Sequence, residues 1–73
     1  MHMRRLIRNK LTGEYFTRKG TWSKHVSLAR EFPDVRSVVE AEQKHNLGRF
    51  EVVLLVAANP GRYDVVIPWP RAT

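Results

Sequence analysis

No cysteine occurs among the 73 residues. That excludes a disulfide framework and a thiolate zinc site, leaves the fold to burial alone, and fits a reducing cytoplasm. Long apolar runs are missing as well. The longest, residues 52–58, is about a third of the roughly 20 residues that a membrane-spanning helix requires. Arg8 and Lys10 interrupt the apolar positions that follow Met1, so no signal-peptide core forms and no membrane partner is expected. The three histidines, His2, His25 and His45, show neither HxH nor HExxH spacing, which predicts no metal site. The four glycines are scattered and lack the strand, glycine loop and helix context of a nucleotide site, so no cofactor is expected. No nucleophile–base pair or carboxylate dyad stands out, so no catalytic residue is assigned and the expectation is a non-enzymatic protein.

Acidic side chains are scarce in one part of the chain only. Residues 1–30 hold eight Lys and Arg against Glu14 alone, whereas residues 31–73 hold five against six, within a total net charge of +6. The positive field is therefore an N-terminal property suited to a polyanion such as nucleic acid, or to an acidic protein; it also serves solubility. The residues assigned to polyanion binding are Arg5, Arg8, Lys10, Arg18, Lys19 and Lys24. Tyr15, Phe16 and Trp22 are interleaved with them. Such rings either stack on bases beside phosphate-neutralising cations or fill the core of a small domain; which faces they occupy decides between the two.

At 42% hydrophobic and 27% charged, composition is that of a globular domain rather than a disordered or fibrous chain. The length predicts one domain, residues 1–68, with a short flexible tail over 69–73. The fold class is α+β: a mostly antiparallel sheet of four to five short strands, near residues 3–9, 14–18, 28–32, 49–57 and 62–67, with one helix near 34–46 on one face. Gly13 suits the turn of a first hairpin. Thr21-Trp22 continues the sheet or closes its edge, and Ser23 is placed to cap a brief helical turn over 24–27. Residues 28–32 alternate apolar and charged positions up to Pro33, which reads as a strand. In the helix, Asp34 is the N-cap, Val35, Val38 and Val39 form the apolar stripe, and Asn46 takes the left-handed C-terminal position. Residues 49–57 turn apolar on both faces, as a strand with neighbours on both sides does, and are placed at the sheet centre. Asn59-Pro60-Gly61 fits a tight turn into a last strand with Tyr63, Val65 and Ile67 on one face, which Pro68-Trp69-Pro70 ends. So small a core leaves room for homodimerisation through an open sheet face or edge.

Tyr15-Phe16, then Gly20, Trp22, Ala29 and Phe32, followed by a helix and a strand pair ending at Tyr63-Asp64 with Pro68, resembles a loose class of small bacterial and phage proteins of uncharacterised function. In that class a Tyr-Phe hairpin leads through a Gly-x-Trp turn and an Ala-x-x-Phe segment to a single helix and one or two strands. The resemblance covers residues 6–68, implies an α+β fold and transfers no catalytic motif. The basic first third departs from the class pattern. The leading expectation is a cytoplasmic binding or accessory module acting through its sheet face and basic N-terminal hairpin. A low-specificity nucleic-acid binder is the alternative, and a small endoribonuclease toxin, similar in being basic and α+β, is the third.

Overall fold

The structure, a computed structural model, describes residues 3–56 and 65–68. Five strands form one antiparallel sheet: β1 (Met3–Asn9), β2 (Tyr15–Phe16), β3 (Trp22–Ser23), β4 (Phe50–Val56) and β5 (Val65–Pro68), in the order β3-β2-β1-β4-β5. A single helix, α1 (Val35–His45), and a 3-10 turn at Val26–Leu28 complete the α+β architecture. The expected interior strand is β4, paired to β1 on one side and β5 on the other. The middle of the order is β1 and not β4, which corrects the expected centre. The consecutive Leu6 and Ile7 of β1 are both fully buried, and since neighbouring residues of a strand point to opposite faces, the strand is covered on both.

Glycine sets both N-terminal hairpins. Gly13 has φ +78° and donates its N–H to the Asn9 carbonyl, while Asn9 N–H bonds to Glu14 O. Gly20 has φ +80° and donates to Thr17 O, with Thr17 N–H closing onto Thr21 O. That is a three-residue loop with glycine at the left-handed position. A side chain at either glycine would be strained.

The register divides the sheet into two faces. Ile7, Phe16, Val52 and Phe50 lie towards α1 and share a core with Val38 and Ala41 of the helix and with Phe32 and Leu47. Leu6 and Val53, directly opposite one another on β1 and β4, are fully buried on the other face.

Asp34 caps α1 as expected, its Oδ1 accepting from Ser37 N–H at 2.9 Å, and Ser37 Oγ returns to the Asp34 backbone in a reciprocal capping box. Asn46 ends the helix in the left-handed conformation, φ 52° and ψ 61°, donating to Glu42 O. The expected stripe needs correction: Val38 is buried and Val39 half-buried, but Val35 is 57% exposed and Ala41 takes its place in the core. A first-turn residue lies beyond the sheet's reach, whereas Ala41, three positions after Val38, is on the same helix face.

Residues 28–32 are not a strand. Ala29 forms one isolated bridge to Thr17, Arg30 N–H donates to Phe16 O, and Phe32 N–H donates to Arg5 O. The segment is wedged between β1 and β2 instead of laddering with either; Phe32 is turned into the core and the Arg30 guanidinium lies 4.8 Å from the Phe32 ring centroid. Ser23 does not cap the short turn either: its Oγ accepts from His25 N–H, and the 3-10 turn starts two residues later than expected, at Val26. β3 closes the sheet edge as expected. The Asn59-Pro60-Gly61 turn, Tyr63, Trp69 and the tail over 69–73 lie outside the described residues.

Phe32→Ala removes a ring that is 1% exposed and should destabilise by about 3–5 kcal/mol, close to the whole stability of a domain this small. Val38→Ala should also destabilise, and Asp34→Ala should cost about 1 kcal/mol. Val35→Ala, on the exposed helix end, should stay within about 0.5 kcal/mol of wild type. Urea unfolding followed by circular dichroism ranks the four, and a Val35 effect equal to that of Val38 would restore the three-valine stripe.

Candidate functional site

The six residues assigned to polyanion binding fall into two groups. Arg5 and Arg8, on β1, are engaged internally. Arg5 Nη1 donates to the carbonyls of Phe32 at 3.1 Å and Pro33 at 2.7 Å, holding the chain that leads into the Asp34 cap. Arg8 faces Glu51 directly across the β1–β4 ladder, and its Nε donates to Glu51 Oε2 at 2.7 Å. Burial by itself would lower the Arg8 pKa. The hydrogen bond to Glu51, followed by one to Tyr15, outweighs it and raises the pKa above the ordinary arginine value. Tyr15, Arg8 and Glu51 thus form a polar row across three neighbouring strands on the face away from α1, beside the buried Leu6–Val53 pair. Arg4, on the same face, reaches Glu31 at 3.1 Å.

Lys10, Arg18, Lys19 and Lys24 are exposed. Lys10 lies in the β1–β2 turn, Arg18 and Lys19 in the β2–β3 turn, and Lys24 just beyond β3. Tertiary contacts add cations that the sequence reading missed. Lys10 N–H donates to Arg49 O at 3.2 Å, which brings the first turn against the loop between α1 and β4. A Cβ at Gly20 would lie 3.6 Å from His45 Cε1, and the His45 ring packs 5.0 Å from that of Phe16, so the second turn lies against the last turn of α1. Lys44, His45 and Arg49 are exposed there. The segments therefore meet in pairs, the Lys10 turn with the Arg49 loop and the Lys19 turn with the end of α1 that carries Lys44, and together they make a basic seam. In its three segments, residues 10–14, 17–21 and 44–49, Glu14 is the one acid. No local signal marks Lys44 and Arg49, because they come from the half of the chain whose charges nearly cancel.

The aromatic residues do not form a stacking platform. Phe16 is 2% exposed, inside the core. Trp22 is paired opposite it and packs edge-on at 5.4 Å, whereas Tyr15 pairs with Arg8 on the other sheet face. A groove of about 220 Å³ beside the second turn is lined by Thr17, Arg18, Lys19, Thr21, Ser23 and Leu28. Its hydroxyls are already bonded within the fold: Thr17 Oγ1 to Thr21 Oγ1 at 2.8 Å, and Ser23 Oγ to His25 N–H. Among the described residues no three His, Asp or Glu side chains gather as a metal-binding group, and no helix is long and apolar enough to cross a membrane. The residues that carry the class resemblance are largely structural in this fold, with Phe16, Ala29 and Phe32 buried and Gly20 in its turn.

Glu51→Ala would leave the half-buried Arg8 guanidinium without its main acceptor and should lower stability by about 1–3 kcal/mol. In a domain of this size that is a fall in Tm of about 4–8 °C per kcal/mol. Lys10→Ala, in an exposed turn, should change Tm little. Thermal unfolding of the two variants checks the division into structural and free cations, which equal shifts would erase. Comparison with protein-family models, with curated proteins and with solved structures found no match for this chain.

Proposed function

We propose that the protein is a non-enzymatic binding module whose ligand is a polyanion, with nucleic acid bound through its phosphates as the leading case. The observation that supports this reading is the convergence of Lys10, Lys19, Lys44 and Arg49, exposed and drawn from three segments, along one seam with a single acid among them. Side chains that neutralise phosphates recognise charge spacing and not base identity, so specificity for sequence is low. The burial of Phe16 and the division of Tyr15 and Trp22 between opposite faces disfavour base stacking as a major contribution. Arg5 and Arg8 contribute to the net field from inside the fold and are not contact residues in this reading.

Labelled single- and double-stranded DNA and RNA titrated across a salt series test it. Four phosphate contacts predict a slope of about −3 to −4 for log affinity against log salt on duplex DNA. Lys19→Glu and Arg49→Glu should each weaken binding several-fold and flatten that slope. Arg36→Glu makes the same change in net charge near the start of α1, about 12 Å along the helix from Lys44, and should weaken binding less. Absence of binding to every nucleic acid at low salt, or equal losses in all three variants, would refute the seam as the binding surface.

A further inference from the structure

We infer, resting on the polyanion reading above, that the groove beside the second turn takes one unpaired base of a single-stranded nucleic acid while Arg18, Lys19 and Lys24 hold the flanking phosphates. The groove lies between the β2–β3 hairpin, which supplies Thr17, Arg18, Lys19, Thr21 and Ser23, and the 3-10 turn, which supplies Leu28. Backbone contacts hold the two together. Thr17 forms the isolated bridge to Ala29, and Arg30 N–H donates to Phe16 O at 2.9 Å, so the chain leaving the 3-10 turn is fastened along β2.

The 3-10 turn buries none of its three residues. Val26 is 38% and Leu28 52% exposed, so in a domain with little core to spare their apolar surface is left for contact from outside. The hydroxyls across the groove are spent on the fold: Thr17 Oγ1 and Thr21 Oγ1 bond to one another at 2.8 Å, Thr21 N–H donates to Thr17 Oγ1 at 3.2 Å, and Ser23 Oγ accepts from His25 N–H. The lining is therefore mainly apolar. At about 220 Å³ the groove falls short of the roughly 300–1,000 Å³ of sites that enclose drug-sized ligands. It has room for one ring system and not for a dinucleotide cofactor.

Charge selects the occupant. From residue 15 to residue 30 the chain holds four Lys and Arg and no Asp or Glu. Arg18 and Lys19 line the groove, Lys24 directly follows Ser23, and all three are exposed. Glu31, the first acid beyond this stretch, is paired with Arg4 at 3.1 Å. The complementary ligand carries a compact apolar group with negative charge on each side of it. Every unit of a single-stranded nucleic acid has that pattern, whereas in a duplex the base faces are closed by stacking and phosphates dominate the contact. An acidic peptide supplies its charge and its apolar side chain from different residues. Lys19 belongs to the groove and to the basic seam alike, so a strand lying on the seam meets the groove. Because the groove hydroxyls are engaged, few base-edge groups are read, and contact with Leu28 stands in for an aromatic platform.

Fluorescence anisotropy on the full chain at low salt, with three labelled probes of equal phosphate number, tests the inference: an oligothymidylate strand, the same strand with every base removed, and a DNA duplex. The thymidylate strand should bind several-fold more tightly than the abasic strand, although their charge is the same. Leu28→Ala should erase most of that difference and leave the abasic strand, the duplex and the salt slope unaltered, because Leu28 carries no charge. Lys19→Glu should weaken binding of all three probes. Leu28 is half exposed, so circular dichroism should show the variant folded, and the comparison between the thymidylate and abasic strands needs no variant. Equal affinity for those two strands in wild type, or a difference that survives Leu28→Ala, overturns the groove assignment, and a retained effect of Lys19→Glu then leaves the polyanion reading standing. No binding of any probe overturns both. An acidic peptide carrying one tryptophan that binds through Leu28 and excludes the thymidylate strand would also overturn the assignment, by giving the groove to a protein.

Discussion

The ladder between β1 and β4 is the constraint on which the rest of the structure depends. Seven consecutive pairs, from Met3↔Val56 to Asn9↔Phe50, join segments more than forty positions apart in the chain. Fixing so non-local a contact carries a large loop-closure cost before any contact stabilises it. The stabilisation comes from both faces at once. Ile7 and Val52 enter the core under α1, and Leu6 and Val53 meet on the other side, all of them 3% exposed or less. Arg8 and Glu51 then pin the register, because a slip of one residue in either strand would put the two on opposite faces of the sheet and turn that strand's aliphatic side chains to the wrong sides.

From that ladder the placement of the charge follows. Pairing Asn9 with Phe50 brings the turn after β1 against the loop before β4, hence Lys10 beside Arg49. The packing of His45 on Phe16, under Gly20, adds the helix end. The Asn46 cap and the αL geometry at Gly48, φ +74°, turn the chain out of the helix and into β4 within a few residues, which keeps Lys44 near the sheet end. The cations held inside, Arg4, Arg5 and Arg8, have a different part. Their stems cover apolar surface while their guanidinium groups bond to carbonyls and carboxylates of the fold. Arginine suits that work because its several donors can satisfy two acceptors at once, as Arg5 does at Phe32 and Pro33.

The proposed polyanion surface and the proposed base groove draw on different physics. One gains from charge and the release of counterions; the other gains from taking apolar surface out of water. Lys19 stands at their border, which lets a strongly basic domain of 73 residues offer both to one polymer. Salt weakens the first and spares the second, since screening acts on charges.

Elements with a strong local signal were legible in the sequence: the helix with its Asp34 and Asn46 ends, the aliphatic β4, the hairpin at Gly13 and the edge at Trp22 all have local causes, in capping, period and positive φ. Residues 28–32 were misread because alternation only reports which side chains are buried. The segment buries Ala29 and Phe32 by wedging between strands, a role that has no period of its own. Val35 was misread because helical spacing defines a face, whereas the tertiary structure decides how much of that face the sheet reaches. The six cations of the sequence reading were separated into structural and exposed ones by contacts with Phe32, Pro33 and Glu51, residues more than twenty positions away. The sequence by itself determined composition, fold class and the sign of the field, since these are sums and local patterns. Only the tertiary structure decided which charges remain free and which of them stand together, because a side chain's partners depend on distances in space that chain order does not encode.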